Sequence, residues 1–435
     1  MRMSAKNTSY FLIMAVLLVL VGWLQSPSVA MGLVNMCLIS AIMALGVNIQ
    51  WGYAGLFSVG TMGFVALGGV ATVLTSMPPV HDAWAAGGLR AIFGILIGVA
   101  AIALGVVVYR RMQKGWSRAL VLLVVVVGGF FLYRAVLDPA VDAIEGTNTA
   151  VAGYLGGAGL PIFASWIVGG LLAAGAAWVI GKVSLGLRSD YLAIATLGIA
   201  ETIIAVLKNE DWLSRGVRNV NGLPRAPIPY EVSLQSNPDF IAWASWFGLA
   251  PAEASSLFVK ACFALTFIVV LGVIMWLSER AWRSPWGRMM RAIRDNETAA
   301  RAMGKDVTKR HLQVFILGSA VCGIAGAMLT TLDGLFTPGS YQPLRFTFLI
   351  WVMVIVGGSG NNWGAVLGGF LIWFLWVEVE PIGLWLMGWI TAPLPEDSFL
   401  RAHLLDSAAH MRLLTMGLIL LLVLRFAPRG LIPEK

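Results

Sequence analysis

The sequence predicts an all-α integral membrane protein, a polytopic bundle of about 10–12 transmembrane helices with interrupted Gly-rich segments. Its 435 residues are 58% hydrophobic and 12% charged, with a mean hydropathy of +0.82. Soluble domains are about 25% charged, so this chain has too few charges to cover a water-facing surface. The apolar residues also lie in long runs, and a helix of about 20 apolar residues crosses the hydrocarbon core. We therefore treat residues 1–435 as a single transmembrane domain.

Twelve apolar runs along the chain predict the membrane spans. They lie at residues 10–24, 31–49, 56–75, 91–109, 119–137, 162–181, 191–207, 257–277, 312–332, 346–356, 366–379 and 413–426. The shortest runs fall below the length that a bilayer-crossing helix requires, so the number of crossings is left at about 10–12. The longest stretches between runs are an outer loop at about 208–256 and a cytoplasmic loop at about 278–310.

The net charge of +8 follows the same topology. With a cytoplasmic N-terminus and one crossing per run, the cytoplasmic segments hold 20 of the 30 Lys and Arg residues but only six of the 22 Asp and Glu residues. Cytoplasmic loops of membrane proteins carry an excess of Lys and Arg, so this distribution explains the basic balance without a nucleic-acid partner. Both termini are then cytoplasmic.

The first apolar run has a second interpretation. Arg2, Lys6, an apolar run and the sequence Ser28-Val29-Ala30 are also typical of a cleavable signal peptide. We favour an uncleaved first helix because it leaves both termini on the basic side.

The sequence predicts no catalytic and no metal-binding residues. Cys37, Cys262 and Cys322 lie inside apolar runs and share no spacing, which argues against a disulfide framework and a zinc site. A serine protease built around Ser359 would need a nearby histidine as its base, but the four histidines lie in loops or at span edges. Gly181-Lys182 lacks the preceding glycine of a phosphate-binding loop, so any ATP hydrolysis needs a separate subunit.

The cytoplasmic loop carries the most patterned segment of the chain. Ser284-Pro285 is a helix-start signal, and arginines follow at positions 288, 291 and 294. Asp295-Asn296 supplies a second N-cap with Glu297 in the first turn, and Gly304 is a C-terminal stop. The product is a short helix with small side chains that suits a socket on a cytoplasmic partner. From this pattern alone, a solvated basic helix at the membrane surface is an equal alternative.

The loop reads Gly287-Arg288, then Arg291-Ala292-Ile293-Arg294-Asp295-Asn296-Glu297-Thr298-Ala299-Ala300-Arg301-Ala302-Met303-Gly304. It closely resembles the coupling loop of the permease subunits of branched-chain amino acid ABC importers. It is a variant of the Glu-Ala-Ala loop of ABC importers and departs from it by the inserted Thr298. In that family the loop docks into the ATP-binding subunit. The resemblance therefore implies that the following residues couple the chain to an ATPase: Arg294, Asp295, Asn296, Glu297, Thr298, Ala299, Ala300, Arg301, Met303 and Gly304.

Other segments resemble the same family. They are Gly-Tyr-Ala-Gly-Leu within 46–60, Asp-Tyr-Leu-Ala-Ile-Ala-Thr-Leu within 188–198, Gly-Gly-Ser-Gly with Trp-Gly within 356–368, and Phe-Ala-Pro-Arg-Gly-Leu at 426–431. Residues 82–160 include an insertion relative to the family pattern, which we expect to form an extra helix pair. Residues 218–223 read Arg-Asn-Val-Asn-Gly-Leu, where the family often has Thr-Gly-Gly-x-Asn-Gly-Leu, and this change weakens any inference about the protein that docks there.

The resemblance implies a permease subunit of an ATP-driven importer in the bacterial inner membrane, carrying branched-chain or other hydrophobic amino acids. The implied partners are a second homologous permease, two ATP-binding cassette subunits and a periplasmic substrate-binding protein. ATP and Mg would be bound by the ATPase, and this chain would hold no cofactor and would not be an enzyme. Urea, amides or other amino acids remain open as substrates. An ion-coupled secondary transporter is less favoured because it usually needs several deep carboxylates.

Two Gly-rich stretches, 51–69 and 357–369, are candidates for the substrate path, because irregular backbone at membrane depth lines a cavity or is buried in protein. Ordinary close packing through small residues is the alternative. Glu201 lies midway along the run 191–207 and is expected to face the bundle interior, either towards substrate or hydrogen-bonded to a neighbouring helix. Glu378 and Glu380 are expected near a helix end, in contact with water. The candidate path residues are Gly55, Ser58, Thr61, Glu201, Ser359, Asn361 and Asn362.

Overall fold

The computed structural model describes residues 5–147, 153–187, 189–395 and 398–434, and most of these residues are helical. In chain order the α-helices are α1 (Ala5–Leu24), α2 (Pro27–Val47), α3 (Thr61–Ser76), α4 (His81–Ala83), α5 (Leu89–Arg111), α6 (Trp116–Glu145), α7 (Ile162–Ser184), α8 (Ser189–Asn209), α9 (Asp211–Ser214), α10 (Glu231–Gln235), α11 (Pro238–Trp246), α12 (Pro251–Arg283), α13 (Pro285–Asp295), α14 (Glu297–Ala302), α15 (Val307–Asp333), α16 (Pro343–Gly357), α17 (Asn362–Thr391), α18 (Phe399–Ser407) and α19 (Met411–Phe426). A π-helical turn at Asn48–Gly52 continues α2, and another at Trp84–Gly88 joins α4 to α5. Strands β1 (Val220–Asn221) and β2 (Leu335–Phe336) pair antiparallel.

Nine helices within the described ranges are long and apolar enough to cross a membrane. They are α1, α2 with its π-helical turn, α4 continued into α5, α6, α7, α8, α12, α15 and α17. The bent pair of α18 and α19 provides a tenth candidate, and α3 and α16 are shorter apolar helices. Together these match the twelve apolar runs, so the prediction of an all-α polytopic membrane protein is confirmed. Arg2, Arg188 and Lys435, which entered the count of basic residues, lie outside the described residues.

Helix α17 is much longer than its apolar run at 366–379 suggests. It continues through Pro381 to Thr391. The expectation that both carboxylates lie near a helix end is wrong, and the expectation that Glu378 reaches water is also wrong, because Glu378 is only 3% exposed and accepts a hydrogen bond from Gln25 at 2.6 Å. Glu380 forms an ion pair with Arg412, and its side chain is 36% exposed. The buried carboxylate therefore has a hydrogen-bond partner, and the other one is in contact with water.

The centre of the bundle is packed through small residues. Helices α3, α7 and α15 contact one another closely, and α2 packs on α15. A Cβ atom at Gly68 of α3 would overlap the carbonyl oxygen of Gly323 of α15, and one at Gly326 would overlap the carbonyl of Val65. In a bilayer, helix association depends on such close packing, because lipid is as apolar as the side chains.

The inserted region forms an extra helix pair, α5 and α6, as predicted. The pair attaches to the rest of the chain at one end, where Trp84 Nε1 donates to the Leu155 carbonyl at 2.9 Å and Leu155 N donates to the Trp212 carbonyl at 3.0 Å. Ala140 and Ile144 of α6 are buried in the same cluster. Most other side chains of the pair are exposed, so the two helices face lipid along most of their length.

The loops divide between the two ends of the bundle. At one end, which we call the basic end, helices α13 and α14 meet three other segments. These are the breaks between helices at 53–60 and 358–361 and the C-terminal segment 427–434. At the opposite end, residues 210–250 form an ordered cap of α9, α10, α11 and β1, and β1 pairs with β2. The loop predicted at about 208–256 is therefore a small folded cap.

Candidate functional site

Helix α13 is fixed against the basic end of the bundle. Ser284 Oγ accepts a hydrogen bond from Gly287 N at 3.4 Å, so the helix starts where the sequence predicts. Its apolar face is buried through Met290 and Ile293. Trp286 Nε1 donates to Gln313 of α15 at 3.3 Å. This amphipathic helix is therefore packed on the membrane helices and hydrogen-bonded to α15.

Helix α14 is the most exposed part of this end. Asn296 Oδ1 accepts a hydrogen bond from Ala299 N at 2.9 Å, and Gly304 ends the helix with a φ of 74°. Both caps were predicted. Thr298, Ala299, Ala302 and Met303 are exposed, and Met303 is exposed to 79%. Ala300 is only 9% exposed, so it packs inside the chain and is not available to a partner.

Arg294 turns inward from the end of α13, towards the bundle. Its Nη1 donates to the carbonyl oxygen of Gly52 and lies 2.8 Å from Glu434 Oε2. The two charged side chains are 24% and 25% exposed. Arg294 therefore joins the α13–α14 segment to the break after α2 and to the C-terminal segment.

A buried hydrogen-bonded network lies next to Arg294 and connects the two Gly-rich breaks. Asn48 Oδ1 accepts from Gly360 N at 2.8 Å, and Asn48 Nδ2 donates to Asn362 Oδ1 at 3.1 Å. Tyr53 donates to the same Asn362 oxygen at 2.8 Å, and burial raises the pKa of the Tyr53 hydroxyl, which therefore stays protonated. Asn362 Nδ2 donates to Glu279 of α12 at 3.2 Å. We call these five residues the basic-end network.

The C-terminal segment completes this junction, a role that no pattern in the sequence indicated. Leu431 N donates to the Val356 carbonyl and Ile432 N to the Gly357 carbonyl, both at 2.9 Å. Asn361 Nδ2 donates to the Pro433 carbonyl at 3.1 Å. The end of the chain is therefore held on the break between α16 and α17, where Glu434 meets Arg294.

The structure brings some of the candidate path residues together and separates others. Gly55 and Ser359 line an open cavity of 580 Å³ at the basic end, together with Arg294 and Glu434. Asn361 and Asn362 lie at the same end, in the contacts described above. Ser58 and Thr61 are buried, and their hydroxyls have no hydrogen-bond partner among the described residues.

The late Gly-rich stretch favours the close-packing alternative. A Cβ atom at Gly357 would overlap the Gly364 carbonyl oxygen, and one at Gly368 would overlap the Met353 carbonyl oxygen. These glycines let α16 and α17 touch at their backbones.

Glu201 lies in a different region. The expectation that it faces the interior of this bundle is wrong, because Glu201 is exposed on α8. It lines an open groove of 940 Å³ between α8, α16 and α19, which Lys208 and Arg345 also line. Helix α8 packs on α3 and α7 with its other face, which turns Glu201 outward. Within the described residues Glu201 has neither an ion pair nor a hydrogen bond to a neighbouring helix.

Within the described ranges, no three His, Cys, Asp or Glu side chains come together in a group that could hold a metal ion. The described residues instead form an exposed helix (α14), an ion-paired junction at Arg294 and an open groove at Glu201.

Comparison with known proteins gives a family match that covers most of the chain. The family described as branched-chain amino acid transport system, permease component, matches residues 111–424. The permease protein LivM of Escherichia coli K12, from a high-affinity branched-chain amino acid transport system, is 27% identical over 49% of this chain and 50% of its own length. The chain thus spans about half the length of this relative. No solved structure matches.

Two archaeal proteins are also similar. The probable branched-chain amino acid transport permease LivM of Methanocaldococcus jannaschii is 26% identical over 61% of this chain and 67% of its own length. The probable permease LivH of the same organism is 32% identical over 25% of this chain and 34% of its own length. With a family match that extends over more than half of its residues, this multi-pass membrane protein belongs to the permease components of branched-chain amino acid transport systems.

Proposed function

We propose that the chain is the solute-conducting permease subunit of an ATP-driven importer for branched-chain or other hydrophobic amino acids. In this proposal it lies in the bacterial inner membrane with both termini cytoplasmic. A second, similar permease stands beside it, two ATP-binding cassette subunits bind ATP and Mg, and a periplasmic protein delivers the solute. The similarity to both LivM and LivH supports a pair of related permeases.

The observation that carries the proposal is the connection from an exposed helix to the membrane breaks. Helix α14 projects Met303 and small side chains, which let another protein approach closely and give it an adaptable apolar contact. Directly behind α14, Arg294 holds Gly52 and Glu434. A cytoplasmic ATPase that displaces α14 therefore pulls on both Gly-rich breaks.

The groove at Glu201 supports a solute path between two permeases. It combines the carboxylate of Glu201 with the cations of Lys208 and Arg345, and a free amino acid carries both charges in complementary form. Exposed charges along membrane-embedded helices normally face a water-filled cavity or a protein partner. A second permease against α8, α16 and α19 would enclose the groove.

Other solutes and another energy source are the alternatives. Urea, amides or other amino acids fit the same groove, and binding measurements on the periplasmic protein separate them. An ion-coupled carrier would transport without an ATPase. It usually needs carboxylates deep in several helices, whereas Glu378 is paired to Gln25 at the turn between α1 and α2.

The coupling role is tested at Met303 rather than at Ala300, because a bulky residue at the buried Ala300 would disturb the fold itself. In the complete transporter, Met303→Asp should abolish ATP-driven uptake and leave the amount of inserted protein unchanged. Leu187→Asp is the matched control, since Leu187 is exposed to 47% in the loop between α7 and α8 at the same end. Uptake that persists in Met303→Asp, or solute accumulation by the permease without an ATPase, would contradict the proposal.

A further inference from the structure

A second, partly open cavity lies between the helices of the bundle, beside the groove at Glu201. It has a volume of 210 Å³ and is lined by residues of α2, α3, α15, α16 and α17. Its mouth, at Asp333, Leu335 and Ser340, lies under the cap, at the end of the bundle opposite α14. An externally delivered solute would meet this mouth first if the basic end is cytoplasmic.

The walls of the cavity are apolar and adaptable. Four methionines line it, on three different helices: Met36, Met43, Met62 and Met353. Methionine side chains are flexible and polarizable, so they fit branched aliphatic groups of different shape. The volume is below the roughly 300–1,000 Å³ of pockets for drug-sized ligands, so the occupant is a small molecule.

Three polar groups also line the cavity and have no hydrogen-bond or ion-pair partner among the described residues. Ser40 is 3% exposed and makes no hydrogen bond with the described residues. The Nε1 donor of Trp373 is buried and unpaired. The Asp333 carboxylate is exposed at the mouth and has no ion pair within the described ranges. Buried polar groups are almost always hydrogen-bonded, so the unpaired groups of Ser40 and Trp373 around one cavity indicate a missing ligand.

We infer that this cavity binds a small apolar solute that carries an ammonium group, of the class of hydrophobic amino acids. The aliphatic part contacts the methionines, and the ammonium faces Asp333. Ser40 and Trp373 supply a hydroxyl and an N–H for the carboxylate of the solute. A hydrocarbon chain alone would leave all three polar groups unpaired. The inference rests on the proposed import function and adds to it a holding site inside one permease.

The cavity also adjoins the groove at Glu201. Tyr341 and Leu349 line both spaces, so these two side chains form the wall between them. The Tyr341 hydroxyl is held by Thr330 Oγ1 at 2.9 Å. A route for the bound solute from the cavity into the groove would require Tyr341, which is only 5% exposed and packs on Phe336, to move.

The experiment labels membranes containing the full chain with photo-leucine, a diazirine analogue of leucine, and maps the modified peptides by mass spectrometry. We expect label on the cavity-lining peptides of α2, α15 or α16, displaced by excess leucine. Met36→Trp fills the cavity and should remove the displaceable label. Met31→Trp is the matched control, because Met31 is also half-buried on α2 but does not line the cavity.

Asp333→Asn keeps the shape of the mouth and removes its charge, and should weaken displaceable labelling about tenfold through the lost charge-assisted hydrogen bond. Asp142→Asn, an exposed aspartate at the same end, should have no effect. Displaceable label that survives both Met36→Trp and Asp333→Asn, label confined to the groove, or no displaceable label in the wild type would overturn the inference.

Uptake by the complete transporter, measured in parallel, separates the two proposals. Normal ATP-driven leucine uptake with labelling outside the cavity overturns the holding site and leaves the import function standing. Displaceable cavity labelling without ATP-driven uptake supports the site and contradicts the import function.

Discussion

The basic-end network and the groove at Glu201 are both polar regions of an apolar chain, but only the first is internally paired. In the network, Asn48 and Tyr53 both bind Asn362, and next to it Arg294 binds Glu434. In the groove, Glu201 has no partner of either kind within the described residues. The polar groups of the network are paired within the chain, whereas the Glu201 carboxylate in the groove is not.

This difference indicates that the network and the groove have different tasks. A buried polar group without a partner costs free energy, so a fully paired network holds one geometry and can transmit force as a rigid joint. An exposed charge costs little to leave unpaired and can change partners during transport. The difference predicts that substitutions in the network reduce stability and that substitutions in the groove change function alone.

The largest effect is expected from Asn362→Ala. The substitution leaves the buried Asn48 Nδ2 donor without its partner, whereas Tyr53 keeps the Ser278 carbonyl at 3.2 Å and Glu279 keeps Arg283. An unsatisfied buried group costs about 1–3 kcal/mol, so we expect a loss of that size, seen as a lower unfolding midpoint of the purified protein in detergent. Asn209→Ala is the control, since the exposed Asn209 amide binds only the Ala205 carbonyl of its own helix. Equal midpoints for the two variants would mean that the network does not stabilise the fold.

An intermediate effect is expected at the Arg294–Glu434 ion pair. A double-mutant cycle with Arg294→Gln and Glu434→Gln should give a coupling energy of about 1–2 kcal/mol in thermal unfolding, because the pair is three-quarters buried. The exposed pair Arg301–Glu297 serves as comparison and should give about 0.3–0.5 kcal/mol. Arg294→Gln alone should cost more than Glu434→Gln, because Arg294 also donates to Gly52. Similar coupling energies in the two cycles would place the Arg294 junction among ordinary surface contacts.

The sequence predicted those features that depend on neighbouring residues. The caps of α14 at Asn296 and Gly304 were correct because a cap is formed within a few residues of chain. The apolar spans were correct because bilayer thickness sets their length. The pairing of Asn48 with Asn362 joins positions 314 residues apart, and no local pattern reports such a contact.

The carboxylates show the same limit. An apolar run around a glutamate tells how costly an isolated charge would be, but not which partner removes that cost. Glu378 is predicted to reach water because its apolar run ends at residue 379, and no local pattern identifies Gln25, in the turn between α1 and α2, as its partner. Glu201 is predicted to lie inside because an isolated carboxylate in a membrane span is costly. Its exposure on α8 depends on which face α3 and α7 cover.

The smallest effect on stability is expected from Glu201→Gln, which should change the free energy of unfolding by less than about 0.5 kcal/mol because the exposed carboxylate has no internal partner to lose. ATP-driven uptake should nevertheless fall, since the groove would lose its negative charge. The same chemical change at Glu378 reverses this pattern, because Glu378→Gln disturbs a buried hydrogen bond to Gln25 and should lower the unfolding midpoint. If Glu201→Gln proves as destabilising as Glu378→Gln, Glu201 has a partner within this chain, and the groove is a structural contact rather than an open surface for solute.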